Sequence, residues 1–207
     1  MAETIYPQAL TTVARIKDRL KITDTGLDTL FLRMINAATD MIEQACERRF
    51  LRQTYTQEKY SVLTQNMKYL QLRNFPVTTL TTIEYKAGTP SSPNYTALIT
   101  DQFELMDDGS SGIVRIYDVL PYGVNALRVT YTAGYLIDFA NFGTSTHTLP
   151  ADLTELCERL VAKWNRRRLD QGKATEGFDG GSVTWSLDLE PEEKAILANY
   201  QRYPNFF

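Results

Sequence analysis

Few residues in this chain could carry chemistry. His147 is the lone histidine, and as a general base it would need a nucleophile or carboxylate beside it in space. Its neighbourhood, Thr144-Ser145-Thr146-His147-Thr148, reads as solvated loop, so a small hydrolase built on His147 is the remote alternative. Cys46 and Cys157, with one distant histidine, match no zinc spacing. Both fall on apolar faces of predicted helices, where a free cysteine behaves as a small buried hydrophobe. Asp107-Asp108-Gly109 looks like a fragment of a calcium loop but lacks the regular acidic positions and the closing glutamate; a turn between strands is expected there. Gly177, Gly180 and Gly181 are followed by no Lys-Ser/Thr pair that would mark a phosphate loop. No cofactor or metal is implied, and the expectation is a non-enzyme.

Two basic clusters and an aromatic end remain. Arg48, Arg49 and Arg52 close one predicted helix and Arg166, Arg167 and Arg168 another, where cations complement the helix dipole. The sharper reading makes them charges at a subunit interface or along a passage for DNA phosphate. The last residues, Tyr200-Gln-Arg-Tyr-Pro-Asn-Phe-Phe207, crowd four aromatics and an arginine past a helix. Chain ends usually fray, so aromatics there need a surface to dock on. Tyr200, Arg202, Tyr203, Phe206 and Phe207 are therefore candidate anchors to a partner, aromatics and arginine being the usual hot-spot residues.

The elements that must position these residues follow from periodicity. Leu10, Val13, Ile16 and Leu20 mark a short helix capped by Thr11 or Thr12. A longer one is expected from Thr25 to Glu47, capped by Asp24 or Thr25, its apolar stripe running from Leu27 through Phe31, Ile35, Ala38 and Ile42 to Cys46. After Phe50 the period becomes alternating. Strands are expected at Thr54–Val62, Lys68–Leu72, Leu80–Lys86, Gln102–Met106, Gly112–Tyr117 and Ala126–Tyr131, rich in Thr, Tyr, Val and Ile. Turn clusters at Ala87–Asn94, Asp107–Gly112 and Pro121–Asn125 separate them, which implies a mostly antiparallel sheet and excludes a doubly wound nucleotide-binding fold. Residues 136–149 read as an irregular loop. Pro150 opens a third helix with Leu153, Leu156, Cys157, Leu160, Val161 and Trp164, ending near Leu169. Asp170–Ser182 reads as a flexible loop, Val183–Leu187 as a short strand, and Pro191-Glu192-Glu193 as the start of a last helix.

The fold class is thus α+β: a helical bundle from 1–53 and 150–169, a β-rich insertion at 54–135, and a C-terminal segment, 170–207, of loop, strand, helix and tail. At 43% hydrophobic residues the chain can bury a core. Lys+Arg 22 against Asp+Glu 25 leaves a net charge of -3 with no strongly basic third, which argues against sequence-specific DNA binding. No stretch approaches the roughly 18 apolar residues of a membrane span, and Met1–Leu10 lacks a secretory signal, so a product that is cytosolic when made is expected, with no membrane partner.

With these features in order, the sequence resembles the head–tail connector (adaptor, or head completion) proteins of long-tailed phages, in the larger branch with a β-rich insertion. The resemblance runs through Val13-Ala-Arg-Ile-Lys-Asp-Arg-Leu20, Ile35-Asn-Ala-Ala-Thr-Asp-Met-Ile-Glu43 closing on Cys46-Glu-Arg-Arg-Phe50, Leu70-Gln-Leu-Arg-Asn-Phe-Pro-Val77, Thr81-Thr-Ile-Glu-Tyr85, Leu127-Arg-Val-Thr-Tyr-Thr-Ala-Gly-Tyr135, and Leu149-Pro-Ala-Asp-Leu153 leading to Trp164-Asn-Arg-Arg167. Cys46, Glu47 and the long 136–148 loop depart from the usual pattern. The resemblance implies a structural subunit of the virion neck: a homo-oligomeric ring of about twelve copies, closed by heterologous contacts. It implies a seat between the portal protein and a stopper or tail-completion protein, with double-stranded DNA passing non-specifically through the channel. It also implies a C-terminal segment that reaches the portal. Another virion or tail-completion structural protein is the nearer alternative.

Overall fold

The structure is a computed structural model that describes residues 4–64, 66–89, 92–168, 175–178, 181–184 and 189–202. The chain divides into two compact units, one of Met1–Glu47 with Ile137–Gln201, the other of Arg48–Leu136 with Arg202–Phe207.

The first unit is helical. α1 (Val13–Leu20) begins where Thr12 accepts a hydrogen bond from the Arg15 N–H and ends at Lys21 in the left-handed region. α2 (Asp28–Cys46) starts later than the sequence implied and has no side-chain cap. The Asp24 carboxylate is spent instead on the Gly26 N–H, at 2.7 Å, a local turn that competes with helix initiation. The α2 stripe buries Phe31, Ile35, Ala38, Ile42 and Cys46, and α2 packs against α3 (Ala151–Arg168) and α4 (Pro191–Tyr200). Leu153, Leu156, Cys157, Leu160 and Val161 bury the α3 stripe. Burial pushes the Cys157 thiol up to about 12, so both cysteines sit as buried thiols.

A line of charge ties α1 to α3. Glu158, almost fully buried, accepts from the Thr11 hydroxyl (3.0 Å) and from Arg15 Nε (2.7 Å). Arg19 bonds both Glu155 oxygens at 2.8 and 2.9 Å and reaches Glu158 at 3.4 Å. A buried carboxylate persists only when its lone pairs are met by donors of this kind.

Where the glycines at 177–181 pointed to a loop, β8 (Thr175–Phe178) and β9 (Gly181–Thr184) pair as an antiparallel hairpin. The expected strand at Val183–Leu187 overlaps β9, and its last residues lie outside the described ones.

The second unit is two antiparallel sheets. β1 (Gln53–Val62), β3 (Val77–Thr89), β4 (Ser92–Ala97) and β7 (Gly123–Ala133) form one, in the order β1-β7-β3-β4; β2 (Tyr69–Gln71), β5 (Phe103–Leu105) and β6 (Ile113–Ile116) form the other, in the order β2-β6-β5. β4 corrects the sequence reading: Ala87–Asn94 is not a plain turn but a hairpin whose arms run into it, since at a sheet edge proline loses no ladder bond. The α+β class with antiparallel sheets holds. Leu127, Val129, Tyr131 and Ala133 alternate inward along β7 and meet Val114, Ile116, Leu70 and Leu72 in one core. The Asp107-Asp108-Gly109 turn is tight: an added Cβ at Gly109, φ +83°, would lie 2.1 Å from the Val77 carbonyl oxygen, so only glycine fits.

Candidate functional site

Most of the sequence-selected residues lie among the described ones. Arg48 is neither a helix-end cation nor a surface charge, because α2 stops at Cys46 and Glu47 turns the chain into the left-handed region. Arg48 is 4% exposed; its guanidinium lies 3.5 Å from the Phe75 ring centroid and 5.0 Å from that of Phe50, and donates to the Phe75 carbonyl oxygen. Buried and stacked, it organises the start of the insertion rather than facing solvent. Arg49 is exposed, its backbone N–H held by Asn74 Oδ1 at 2.8 Å. Arg166, Arg167 and Arg168 do fall in the last turn of α3, with Arg166 exposed and the others half-buried.

His147 overturns the expectation of a solvated loop. It is 8% exposed and packed between Phe139 and Phe142, each ring centroid 4.9 Å away. Its Nδ1 accepts the Asp138 N–H at 3.1 Å, which leaves Nε2 as the protonated nitrogen. The Asp138 carboxylate is turned to Asn141 and the Ala140 N–H, bonds that hold its pKa below the usual range. A histidine fixed this way pins a loop. Among the described residues no group of three His, Cys, Asp or Glu could hold a metal ion.

At the aromatic end, Tyr200 folds back: its hydroxyl donates to the Asp152 carboxylate at 2.7 and 2.8 Å. Tyr203, Phe206 and Phe207 lie outside the described residues. Arg202 lines a groove on the second unit.

That groove is the feature sequence reasoning missed. It holds about 250 Å³ and is lined by Lys59, Tyr60 and Ser61 of β1, Tyr69, Leu70 and Gln71 of β2, and Leu63, Met67, Arg73, Asn125 and Arg202. Its wall is built by a bulge. Between Tyr55 and Glu58 the β1–β7 register slips by one residue, with Gln57 at φ +53°, and the slip turns Glu58 onto the core side opposite Val129. There Glu58 accepts from the hydroxyls of Tyr60 and Tyr131, the latter at 2.6 Å. The Tyr60 and Tyr131 oxygens in turn accept the backbone N–H groups of Arg73 (3.0 Å) and Asn74 (3.3 Å). Burial foremost, with Glu58 beside them, pushes both phenols far above their ordinary range, so they stay protonated donors. The network thereby fixes Tyr60 and Arg73 on the groove wall.

Leu63, in the lining, is 59% exposed, and Tyr122 and Val124, which flank the Gly123 that pairs with Val62, are 68% and 72% exposed. Exposed apolar side chains gathered at one end of a unit mark an interaction surface rather than a catalytic cleft.

The model of the family described as "Head completion protein" matches residues 9–203. Among solved structures, a chain from the "Virion of native gene transfer agent (GTA) particle" is similar with a TM-score of 0.51 and 20% identity, over 100% of this chain and 96% of that one. At that identity the likeness speaks for the fold. No curated protein matches the chain.

Proposed function

The chain belongs to the head completion protein family, and on that premise we propose that it is an adaptor subunit of the phage neck, joining the portal to the stopper or tail. Membership makes it a structural virion protein concerned with completing the head. The observation that carries the adaptor reading is the reach of the match, which takes in both units and the last helix, residues 9–203. In this reading about twelve copies close a ring by heterologous contacts, and DNA passes its lumen without base contacts. A net charge of -3 suits such a passage, since a strongly basic lumen would hold the phosphate backbone.

Within the ring, Arg49, Arg166, Arg167 and Arg168 are the candidates for interface or channel charges; Arg48 is already taken up by its aromatic neighbours. The segment from Arg202 through Tyr203, Phe206 and Phe207 is the candidate portal anchor. The Tyr200–Asp152 bond supports that reading, because it fixes the point from which the segment departs. Imaging the full chain mixed with its portal tests the proposal: closed ring density seated on the portal is expected. Density elsewhere in the particle, or none, would sink the neck assignment. Deleting residues 203–207 is expected to abolish portal binding while leaving the thermal melt unchanged; unaltered binding would remove the tail from the interface.

A further inference from the structure

Large apolar side chains gather in solvent where the β1–β7 ladder ends. Its last pair is Val62 with Gly123, and Val62 is buried. Leu63, Tyr122 and Val124 stand on either side of that pair, turned out, and Val119 in the same loop as Tyr122 is 70% exposed. Ile99, 64% exposed, is tied to that loop by Gln102, whose side chain accepts the Ile99 N–H and donates to Asp118 Oδ2, each at 3.0 Å. Farther along the same sheet the exposed positions are polar, as in the Thr54 and Thr132 hydroxyls, 2.9 Å apart. A lone exposed aliphatic is ordinary, but five gathered at one end of a unit are not. The charged side chains of loops 63–68 and 117–122 are engaged locally. Lys68 Nζ donates to the Tyr117 carbonyl oxygen at 3.2 Å, and Asp118 Oδ1 accepts the Val119 N–H at 2.7 Å.

We propose that the chain, before it assembles, pairs with a second copy of itself through this patch, in a two-fold contact that covers Leu63, Ile99, Val119, Tyr122 and Val124. The inference goes beyond the adaptor reading: ring closure needs heterologous contacts, whereas a two-fold contact sets one patch against itself. Charge selects the occupant. The five side chains are uncharged, and Lys68 and Asp118 are already bonded within their loops, so nothing at the centre of the patch repels a second copy. DNA phosphate or a charged peptide would meet no counter-charge there. Area sets the strength. At roughly 100 Å² for each largely exposed side chain, the patch offers on the order of 500 Å². Two copies face to face then bury about 1,000 Å², the lower bound of a specific interface and the size of weak, transient ones. Such a contact is too small for an obligate dimer, and it can yield when larger interfaces form on assembly.

The test is sedimentation equilibrium of the full-length chain, without portal, from about 5 to about 500 µM, the range in which a contact of this size dissociates. The mean mass should rise from one chain toward two and stop there. Tyr122→Asp and Val124→Asp, exposed changes that put a charge into the contact, should each weaken pairing at least about tenfold while the thermal melt stays in place. Should an aspartate variant lose its melt, Val124→Thr, which suits a strand equally well, carries the test with pairing about threefold weaker. The proposal falls if the mass stays at one chain throughout, if it climbs past two, or if the variants pair as the parent does. It falls also if deleting residues 203–207 strengthens pairing about tenfold, because this chain's own end would then be the occupant of the patch. No portal enters the measurement, so a failed neck assignment and a failed pairing give different results.

Discussion

Tyr131→Phe tests the network that sets the groove wall, and its cost can be worked from the geometry. The ring is 0% exposed and stays in place, so no cavity opens. What goes is a hydroxyl donating to Glu58 at 2.6 Å and accepting the Asn74 N–H at 3.3 Å. A hydrogen bond to a charged group contributes about 1.5–3 kcal/mol, and a buried N–H left unpaired costs about 1–3 kcal/mol. These losses overlap, because Glu58 keeps Tyr60 and Arg73. We therefore expect about 2–3 kcal/mol in total. The two tryptophans, Trp164 and Trp185, both lie outside residues 48–136, so tryptophan fluorescence would not report on this unit. Hydrogen exchange of the β7 amides does. Their protection should fall about 30- to 150-fold, at roughly 1.4 kcal/mol per decade, while α2 and α3 amides keep theirs. In a cycle with Tyr60→Phe the two changes should couple by at least ~0.5 kcal/mol. A loss of protection under threefold, or strict additivity, would refute the claim that the phenols and Glu58 act as one unit.

Three further outcomes follow from the same geometry. Gly109→Ala should cost at least ~3 kcal/mol, seen as lost soluble yield or a sharply lowered melt, because its Cβ would lie 2.1 Å from a backbone oxygen at φ +83°. Glu158→Ala should destabilise by about 2–4 kcal/mol in urea titration, since it strips three donors of a buried partner; Glu155→Ala, at 40% side-chain exposure, should cost under ~1 kcal/mol. For pH, Arg19 foremost and then Arg159 hold the Glu155 carboxyl down to about 2. A depressed folded value gives stability that is present above the ordinary carboxylate range, near 4.5, and lost as pH falls toward 2. Glu155→Gln should flatten that acid limb by up to ~1 kcal/mol after allowance for solvent screening, and an unchanged acid melt would contradict the ion pair.

How much of this was legible in the sequence depends on whether the deciding contact is local. The α2 and α3 stripes were, because helical period alone decides which residues are buried, and Phe31, Ile35, Cys46, Leu153 and Cys157 fall where the period puts them. Thr12 was, as a cap, because its partner is three residues away. Arg48 was not. Its task depends on Phe75, 27 residues on, and on a helix that stops at Cys46, one residue before the expected end at Glu47. His147 was hidden by Thr-Ser-Thr, although Phe139 and Phe142 stand within one short loop of it. An isolated polar residue near two aromatics is a signal worth weighing before a loop is taken as solvated.

The groove lay beyond sequence reasoning for a more general reason. Its cations, Lys59, Arg73 and Arg202, are singletons in the sequence and never form a run. What joins them is sheet order, and sheet order is a long-range property: β1 pairs with β7 and β2 with β6, strands that come much later in the chain. The same holds for Glu58. An alternating strand from Tyr55 would leave that carboxylate on the outer face; one extra residue at Gln57 reverses it. A bulge of this kind has no strong sequence signature when its positive-φ residue is glutamine rather than glycine. Charge runs therefore drew attention to Arg166–Arg168, in the last turn of α3, and away from dispersed charges that the fold gathers. For a subunit whose work is contact with other chains, gathered surface of this second kind is the better guide to where partners attach.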